Sequence, residues 1–476
     1  MPSDNPLITA LGPYKSYKTL PELLRYSYLD NKDVRNFDEQ EQNDYLGQIK
    51  SLFVPTLSSM EVTYTIQQMI RDSYFVRNPY LVETRKQLYE IGSCAGMKLD
   101  ELPSFDLNAS GYLIYGITGG GKSKELKRAL SLFPQVIEHG HDEEAGWKRQ
   151  KQLVWLYVQV SHDGSRGGQL IEILAAMDEV LNTNYHIELP KQYRTIEKLA
   201  VGVGIVLATH YCGLIVFDEA QKNNFYESIY KDILQAFFLK LMNFGIPIIV
   251  CGNPLAFEDI FNSSQLTRRF RSEGLKEYLP AEECDDDWNN YMVPGIWEYN
   301  VLPEYTELND EIRHALYMCS GGMRHYLCEL VKGAQNIAIR SDSKSLTIDH
   351  IFQYYETPAM KLQHNLVNAF ISKNSKLLTE YKDIPAEYFK KLWENDEGSS
   401  SETKQNDKSY TDDNYSSNQN DVDISRTIKR RKKTEETRLQ NKQKKKKRNK
   451  KELPDFDLRN GGLENVVVQG YMKISK

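Results

Sequence analysis

The eight residues at positions 116–123, Gly-Ile-Thr-Gly-Gly-Gly-Lys-Ser, match the pattern G-x-x-x-x-G-K-[ST] at each of its fixed positions. They follow an apolar run at 112–115 and precede a segment whose apolar residues Leu126, Ala129 and Phe133 recur at helical spacing. A strand, a glycine-rich turn and a helix in this order are typical of a phosphate-binding loop, in which backbone N–H groups surround a phosphate at the helix N-terminus. The alternative is a glycine turn that only joins a strand to a helix.

This loop predicts both a nucleotide and its metal ion. The residues expected around the phosphates are Gly116, Thr118, Gly119, Gly120, Gly121, Lys122 and Ser123. The Lys122 ammonium would neutralise oxygens of the β- and γ-phosphates, and the Ser123 hydroxyl would hold Mg²⁺. We therefore expect ATP and Mg²⁺ as cofactors.

Two carboxylates follow a second apolar run. Residues 213–217 are Gly-Leu-Ile-Val-Phe, and Asp218 and Glu219 come directly after them. At the carboxyl end of a parallel strand beside the phosphate loop, Asp218 would reach Mg²⁺ through water and Glu219 would polarise the attacking water. An acidic pair at the end of a strand is common on its own, so the prediction of nucleotide hydrolysis depends on its combination with Lys122.

Short apolar runs alternate with helical patterns between residues 106 and 281. The predicted strands are 112–115, 153–160, 213–217, 246–251 and 275–279. Alternation of this kind predicts a three-layer α/β fold with a parallel sheet. Because the run 153–160 lies between the loop and the Asp-Glu pair, the metal-binding strand is not the sequence neighbour of the phosphate-loop strand. That layout is typical of ATPases with a carboxylate-activated water rather than of GTPases or nucleotide kinases.

Further polar residues point to the γ-phosphate. Asn253 follows the strand 246–251 and would help to orient the attacking water, unless it only forms an Asn-Pro turn. Arg268 and Arg269 would reach the γ-phosphate of an adjacent subunit and stabilise charge in the transition state, unless they only decorate a helix face. Arg324 lies at the start of a helix, where it is placed to sense the nucleotide of its own chain.

Charge is distributed unevenly along the chain, which has 60 Lys+Arg, 66 Asp+Glu and a net charge of −6. Residues 426–451 hold 15 Lys and Arg against two Glu, a local charge of +13 that leaves −19 for the rest. The preceding stretch 396–425 has too few aliphatic residues to offset its ordering entropy, so we expect 396–450 to be a disordered, basic tether. The basic run would bind nucleic acid by counterion release, act as a nuclear localisation signal, or only solvate the tether.

Composition also indicates the compartment and the order of domains. No run of about 18 apolar residues occurs, the N-terminus lacks a signal-peptide layout, and the six cysteines form no C-x-x-C pair. We therefore expect a cytoplasmic protein without membrane contact. The predicted segments are a mostly helical N-terminal partner-binding domain (1–105), an ATPase core (106–281), a helical lid with further helices (282–395), the tether (396–450) and a partner-docking tail (451–476). Within the first segment, the acidic stretch 36–45 is expected to interrupt the helices.

The phosphate loop, the intervening strand, the Asp-Glu strand, Asn253, the arginine pair and the helical lid together resemble AAA+ ATPases. More specifically, the chain resembles TnsC, the AAA+ regulator of transposons that move with a multi-protein transposase and a target selector. The stretches that carry this likeness are Asp-Asn-Pro-Leu-Ile (4–8), Met-Ile-Arg-Asp-Ser-Tyr-Phe-Val-Arg-Asn-Pro (69–79), Ser-His-Asp-Gly-Ser (161–165) and Leu-Pro-Asp-Phe-Asp-Leu-Arg (453–459). Asn253 stands where close relatives can carry Thr, and the Gly-Met-Arg sequence at 322–324 is not general in the family.

The resemblance implies a switch rather than a metabolic enzyme. Members of this bacterial family assemble as rings or filaments on double-stranded DNA in the ATP state. They contact a target selector through the N-terminal domain or a ring face and the transposase through the C-terminal tail, and hydrolysis resets them. DNA contacts are expected from Lys191, Arg194 and Thr195, whose groups suit phosphates. The alternative is that Thr195 caps a helix and that the two cations are solvated.

Two other classes of protein stay open from the sequence. A STAND-type signalling or defence ATPase would be a protein-interaction switch without DNA, and it would usually carry C-terminal repeats or an effector domain. A replication-type AAA+ loader would end in a folded winged-helix domain where this chain has the predicted tether.

Overall fold

The structure is a computed structural model that describes residues 5–103, 105, 107–161, 166–221 and 231–401. The chain divides into two units, Met1–Asn395 and Asp396–Lys476, and the elements below belong to the first, apart from the end of the last helix. The predicted tether beyond residue 401, the predicted tail 451–476 and the stretch 162–165 of the family likeness lie outside the described residues.

The strands of the described residues form one large sheet and one hairpin. They are β1 (Gly111–Gly116), β2 (Val136–His139), β3 (Gln150–Leu153), β4 (Leu156–Gln159), β5 (Ile215–Ala220), β6 (Ile248–Gly252) and β7 (Gly274–Tyr278). Five of them form a parallel sheet in the order β4-β5-β6-β1-β7, and β2 pairs with β3 in antiparallel fashion. The strand of the acidic pair, β5, is thus separated from the phosphate-loop strand β1 by β6.

Helices connect and cover these strands. In the described part of the chain they are α1 (Pro6–Thr9), α2 (Leu20–Leu24), α3 (Glu39–Gly47), α4 (Leu57–Val76), α5 (Val82–Ser93), α6 (Lys122–Leu130), α7 (Arg166–Leu181), α8 (Tyr185–Gln192), α9 (Ile196–Thr209), α10 (Lys231–Asn243), α11 (Glu258–Asn262), α12 (Ser264–Phe270), α13 (Val293–Trp297), α14 (Asp310–Ser320), α15 (Arg324–Arg340), α16 (Ile348–Tyr355), α17 (Pro358–Lys361), α18 (His364–Ile371), α19 (Ser375–Leu378) and α20 (Ala386–Ser401). None of the helices in this part of the chain is long and apolar enough to cross a membrane.

The large sheet is covered on both faces. Every residue of β1 and β6 is buried, as expected of parallel strands between two layers of helices. One face packs against α4 and α6 through a cluster that includes Ile70 and Leu126. The opposite face packs against α7, α9 and α10 through Leu174, Leu207 and Phe238. The predicted three-layer α/β architecture with a parallel sheet is confirmed.

The predicted strand 153–160 is wrong in its extent. Leu153 ends β3 in the hairpin, and β4 begins only at Leu156 in the large sheet. Between them, Val154 donates its N–H to the carbonyl of Gln135, at 2.8 Å, beside the start of β2. The two halves of one apolar run therefore pair with different strands, which is a tertiary contact that periodicity does not show.

The stretch 36–45 is largely helical, contrary to the prediction that it interrupts the N-terminal helices. The Asp38 carboxylate accepts the N–H of Glu41, and the Glu41 carboxylate accepts the N–H of Asp38, at the start of α3. This reciprocal capping box stabilises a helix N-terminus in spite of the acidic composition. The buried Leu46 then joins α3 to a helical cluster that includes Trp288 and Leu330.

The predicted N-terminal segment 1–105 shares its core with the rest of the first unit. α4 lies on the large sheet, and the Asp287 carboxylate accepts the N–H groups of Leu57 and Ser58 at the start of α4, at 2.8 and 3.2 Å. This contact joins the N-terminal helices to the region predicted as the lid. A separate partner-binding role for 1–105 stays a prediction.

The last helices of the first unit pack on the 116–123 loop. Phe370 of α18 and Phe389 and Trp393 of α20 form an apolar cluster with Ile117. α20 continues to Ser401, although disorder was predicted from residue 396. A helix that is anchored by buried aromatic residues extends at little cost, because each further residue adds one backbone hydrogen bond.

Candidate nucleotide site

The loop between β1 and α6 has a backbone that favours glycine at three positions. Gly116, Gly119 and Gly121 have φ angles of 156°, 85° and 95°, a region that favours glycine. A Cβ atom on Gly116 would lie 2.2 Å from the carbonyl oxygen of Tyr278, so no side chain fits there. α6 begins at Lys122, and no side chain of the described residues caps it. The N–H groups of its first turn therefore suit an anion.

The Lys122 side chain folds back onto this loop. Its Nζ donates to the carbonyl oxygens of Gly116 and Ile117, at 2.9 and 2.8 Å. Burial lowers the pKa of Lys122, and electrostatic interactions with Cys251, Asp218 and Glu219 act in the opposite direction. Lys122 thus interacts electrostatically with both carboxylates, and a phosphate would offer it a stronger partner than two carbonyls.

The acidic pair lies at a bulge in β5. The register between β5 and β6 shifts between Phe217 and Ala220, and Glu219 has a φ of 64°, which is unusual for a residue with a side chain. Asp218 is 1% exposed, and its Oδ1 accepts the N–H of Glu219 at 2.8 Å. The hydroxyl of Tyr157 donates to its Oδ2. The bulge therefore fixes Asp218 and gives Glu219 a different direction from that of a regular strand.

The phosphate loop, the acidic pair and Asn253 meet at one edge of the sheet. Tyr115 of β1 and Ala220 of β5 are both in register with Gly252 of β6, so these three strands end level with each other. The loop and the carboxylates consequently border one crevice outside the carboxyl ends of the strands, where α/β proteins bind ligands. The Ser123 hydroxyl and the Asp218 carboxylate are oxygen donors of the kind that Mg²⁺ prefers. These residues fit Mg²⁺ together with a nucleoside triphosphate.

Asn253 forms the Asn-Pro turn and also lies on the pocket side of β6. Its Oδ1 accepts the N–H of Leu255 at 3.0 Å, and its Nδ2 donates to the carbonyl oxygen of Asp383 at 2.5 Å. The Asp383 carboxylate in turn accepts the hydroxyl of Thr118, at 3.1 Å. The connection between α19 and α20 therefore contacts both the phosphate loop and Asn253. The sequence did not predict a role for this connection in the site.

Arg324 is buried beside the loop. Its Nη1 lies 3.2 Å from Oε1 of Glu125 in α6, and its Nη2 donates to the carbonyl oxygen of Val54 at 3.3 Å. The guanidinium also lies 5.4 Å from the centre of the Phe53 ring. A Cβ atom on Gly121 would be 3.4 Å from Cδ of Arg324, so this side chain supports the loop from the protein interior.

Arg268 and Arg269 lie in α12, away from the loop of their own chain. Arg269 donates to Oδ1 of Asn108 at 3.0 Å and to Oδ1 of Asn243 at 2.6 Å. Arg268 is exposed. The structure thus distinguishes the two cations, since one is held by amides of its own chain and the other faces solvent.

The predicted DNA contacts lie at the junction of two helices. Lys191 is in the last turn of α8, and Arg194 and Thr195 lead into α9; all three are exposed. Thr195 occupies the N-cap position of α9, but its side chain makes no capping hydrogen bond. The three polar groups therefore face solvent next to one another in the sequence.

Comparison with known proteins classifies the region around the site. The family model described as AAA domain matches residues 107–261. The chain carries an AAA domain. This AAA domain includes the phosphate loop, the acidic pair and Asn253, and AAA domains are ATPase modules that bind nucleotides. In the comparison with curated proteins, none matches the chain.

Several solved structures are similar to parts of the chain. The Orc1 protein of Aeropyrum pernix in complex with DNA has 14% identity and a TM-score of 0.34, over 66% of this chain and 81% of that one. Cdc6p of Pyrobaculum aerophilum has 15% identity and a TM-score of 0.34, over 58% and 67%. A RuvB variant of Thermotoga maritima has 11% identity and a TM-score of 0.32, over 58% and 68%.

Proposed function

We propose that this chain is an ATP-dependent regulator of DNA transposition of the TnsC type. It would assemble on double-stranded DNA, link a target selector to a transposase, and be reset by ATP hydrolysis. The ATPase part is supported above all by the strand register, which brings the phosphate loop and the acidic pair to the same edge of the sheet. The transposition part is supported by the likeness of the stretches 4–8 and 69–79 to that family.

Each side chain of the site has one task in this mechanism. Lys122 exchanges its backbone carbonyl partners for phosphate oxygens. Mg²⁺, held by Ser123 and Asp218, would neutralise charge on the β- and γ-phosphates. Glu219 orients and polarises the attacking water, and the Asn253 amide helps to place that water.

Assembly on DNA would use exposed residues of α12 and of the junction between α8 and α9. The N-terminal region and the tail would bind the protein partners. Arg268 would complete the site of a neighbouring copy, so that hydrolysis depends on assembly. Lys191, Arg194 and Thr195 would contact backbone phosphates, which position a protein on the duplex without reading its sequence. We assign the target selector to the N-terminal region and the transposase to the tail 451–476, which lies outside the described residues.

The experiment is a Glu219→Gln variant mixed with ATP and linear duplex DNA at low salt and imaged by electron microscopy. Because the variant keeps Lys122 and Asp218 but lacks the group that activates water, we expect long-lived assemblies on the DNA. Glu138→Gln, an exposed Glu of β2, should behave as the wild-type protein, and Lys122→Ala should not assemble. A Glu219→Gln protein that stays monomeric and free of DNA would contradict the proposal.

A further inference from the structure

Tyr157 of β4 lies next to the acidic pair and has no role in the mechanism above. β4 and β5 run parallel, with Tyr157 opposite Val216 and Gln159 opposite Asp218. Since side chains alternate between the two faces of a sheet, Tyr157 and Asp218 lie on the same face, one diagonal step apart. The Tyr157 hydroxyl reaches Asp218 and donates to Oδ2.

The Tyr157 ring also contacts the phosphate-loop helix. Nζ of Lys127 in α6 lies 4.9 Å from the centre of the ring, which is the geometry of a cation–π contact. The hydroxyl of the same residue donates to the Asp218 carboxylate. The side chain therefore links the helix that begins with Lys122 to the carboxylate at the end of β5.

Both carboxylate oxygens of Asp218 accept a hydrogen bond, and the Cys251 thiol interacts with the same carboxylate. Oδ1 accepts the backbone N–H of Glu219 at 2.8 Å, and Oδ2 accepts the Tyr157 hydroxyl. Two donors on different oxygens fix both the rotamer and the plane of the carboxylate, and the remaining lone pairs stay available to a hydrated metal ion.

We infer that Tyr157 is a positioning residue that orients the Asp218 carboxylate toward Mg²⁺. The inference rests on the ATPase function proposed above, in which Asp218 helps to hold the metal. Partners of this kind, one step removed from the ion, orient its ligands, and their loss typically lowers metal affinity or activity about 10- to 100-fold.

The test compares the Mg²⁺ dependence of ATP hydrolysis in the full chain and in Tyr157→Phe, which removes only the donor oxygen. We expect the Mg²⁺ concentration for half-maximal activity to rise about tenfold. ATP binding in the presence of EDTA should not change, because Lys122 and the loop are intact. The matched control is Tyr299→Phe, which also loses one partly buried hydrogen bond, to the carbonyl oxygen of Tyr45 at 2.6 Å. Tyr299 lies in the helical cluster that contains Trp288.

Three outcomes separate the possibilities. A Tyr157→Phe protein with the Mg²⁺ dependence of the wild type would overturn the inference. So would a loss of activity that is equal at all Mg²⁺ concentrations, because that result indicates only a structural role. If the wild-type chain hydrolyses no ATP, the proposed function fails. In that case the affinity for ATP is measured with and without Mg²⁺ in the wild type and in Tyr157→Phe. An equal gain in affinity from Mg²⁺ in both proteins would overturn the inference.

Discussion

Arg324 and Glu125 form an ion pair that is almost completely removed from water. Their side chains are 8% and 3% exposed, and Glu125 also accepts the hydroxyl of Tyr278. Removal of one partner from such a pair leaves an uncompensated charge in the interior, at a cost of about 3–5 kcal/mol. We therefore expect Arg324→Ala to lower the free energy of unfolding by about 3–5 kcal/mol, whatever part Arg324 plays in sensing nucleotide.

This destabilisation should depend on pH. Burial raises the pKa of Glu125, and the charge of Arg324 acts against that rise. Because the pKa of Glu125 is higher in the folded than in the unfolded state, binding of its proton stabilises the fold at low pH. This stabilisation is lost as the pH rises through the folded-state pKa. Without Arg324 the pKa of Glu125 rises further. The Arg324→Ala protein should therefore lose less stability at about pH 5 than at about pH 7.

Urea unfolding of the full chain at both pH values measures this effect. The control is the double variant Arg324→Met/Glu125→Gln, which should recover most of the loss because no charge remains buried. Wild-type stability of Arg324→Ala together with weakened ATP binding would contradict the structural role. Arg324 would then be the nucleotide sensor that the sequence predicted.

Among the elements, the connection between α19 and α20 has a direct bearing on nucleotide affinity. The Asp383 carboxylate accepts a hydrogen bond from Thr118 of the phosphate loop, and the Asp383 carbonyl oxygen accepts one from Asn253. A negative charge at the border of a phosphate site repels the ligand by about 1–2 kcal/mol at an effective dielectric constant near 20. Asp383→Asn keeps an acceptor for Thr118 but removes the charge. We therefore expect ATP to bind about five- to thirtyfold more tightly to this variant.

Titration of a fluorescent ATP analogue into the full chain measures the affinity. The difference between Asp383→Asn and the wild type should shrink at high salt, because exposed charges are screened. Asp349→Asn removes an exposed charge from α16 and should leave the affinity unchanged. Unchanged or weaker binding to Asp383→Asn would show that the carboxylate does not face the phosphates.

Local signals explain which elements the sequence could predict. β1, the glycine turn and α6 follow one another in the chain, so the apolar run, the glycines and the helical spacing identify them together. β6 and the first half of β5 are likewise continuous apolar runs that are buried on both faces. The edge strand β4 was predicted too long because its apolar run continues into the hairpin strand β3.

The rest of the site depends on contacts between distant parts of the chain. Thr118 and Asp383 are 265 residues apart in sequence, and no local pattern marks Asp383 as a partner of the loop. Tyr157 lies 61 residues from Asp218, and only the register of β4 against β5 brings the two together. The bulge that gives Glu219 a positive φ arises from the pairing of β5 with β6, so it is equally hidden in the sequence.

At the scale of the whole molecule, the arginine pair and the phosphate loop lie at opposite ends of β1. A Cβ atom on Gly111, the first residue of β1, would lie 2.8 Å from the carbonyl oxygen of Arg269, whereas the loop starts at Gly116. The two ends of β1 are about 17 Å apart at roughly 3.3 Å per residue. An arginine side chain does not span that distance, so in the proposed mechanism Arg268 serves the ATP of another copy.

Mixing of two inactive variants tests this dependence on assembly. Arg268→Ala keeps its own site but cannot serve a neighbour, and Glu219→Gln serves a neighbour but cannot activate water. Each alone should hydrolyse ATP at least about a hundredfold more slowly than the wild type on DNA. In an equal mixture, about a quarter of the sites combine an intact Glu219 with an intact neighbouring Arg268, so about a quarter of the activity should return.

Arg340→Ala, which removes an exposed charge at the end of α15, should keep full activity in the same assay. Full activity of Arg268→Ala alone, or a mixture that stays inactive, would show that this arginine does not complete a neighbour's site.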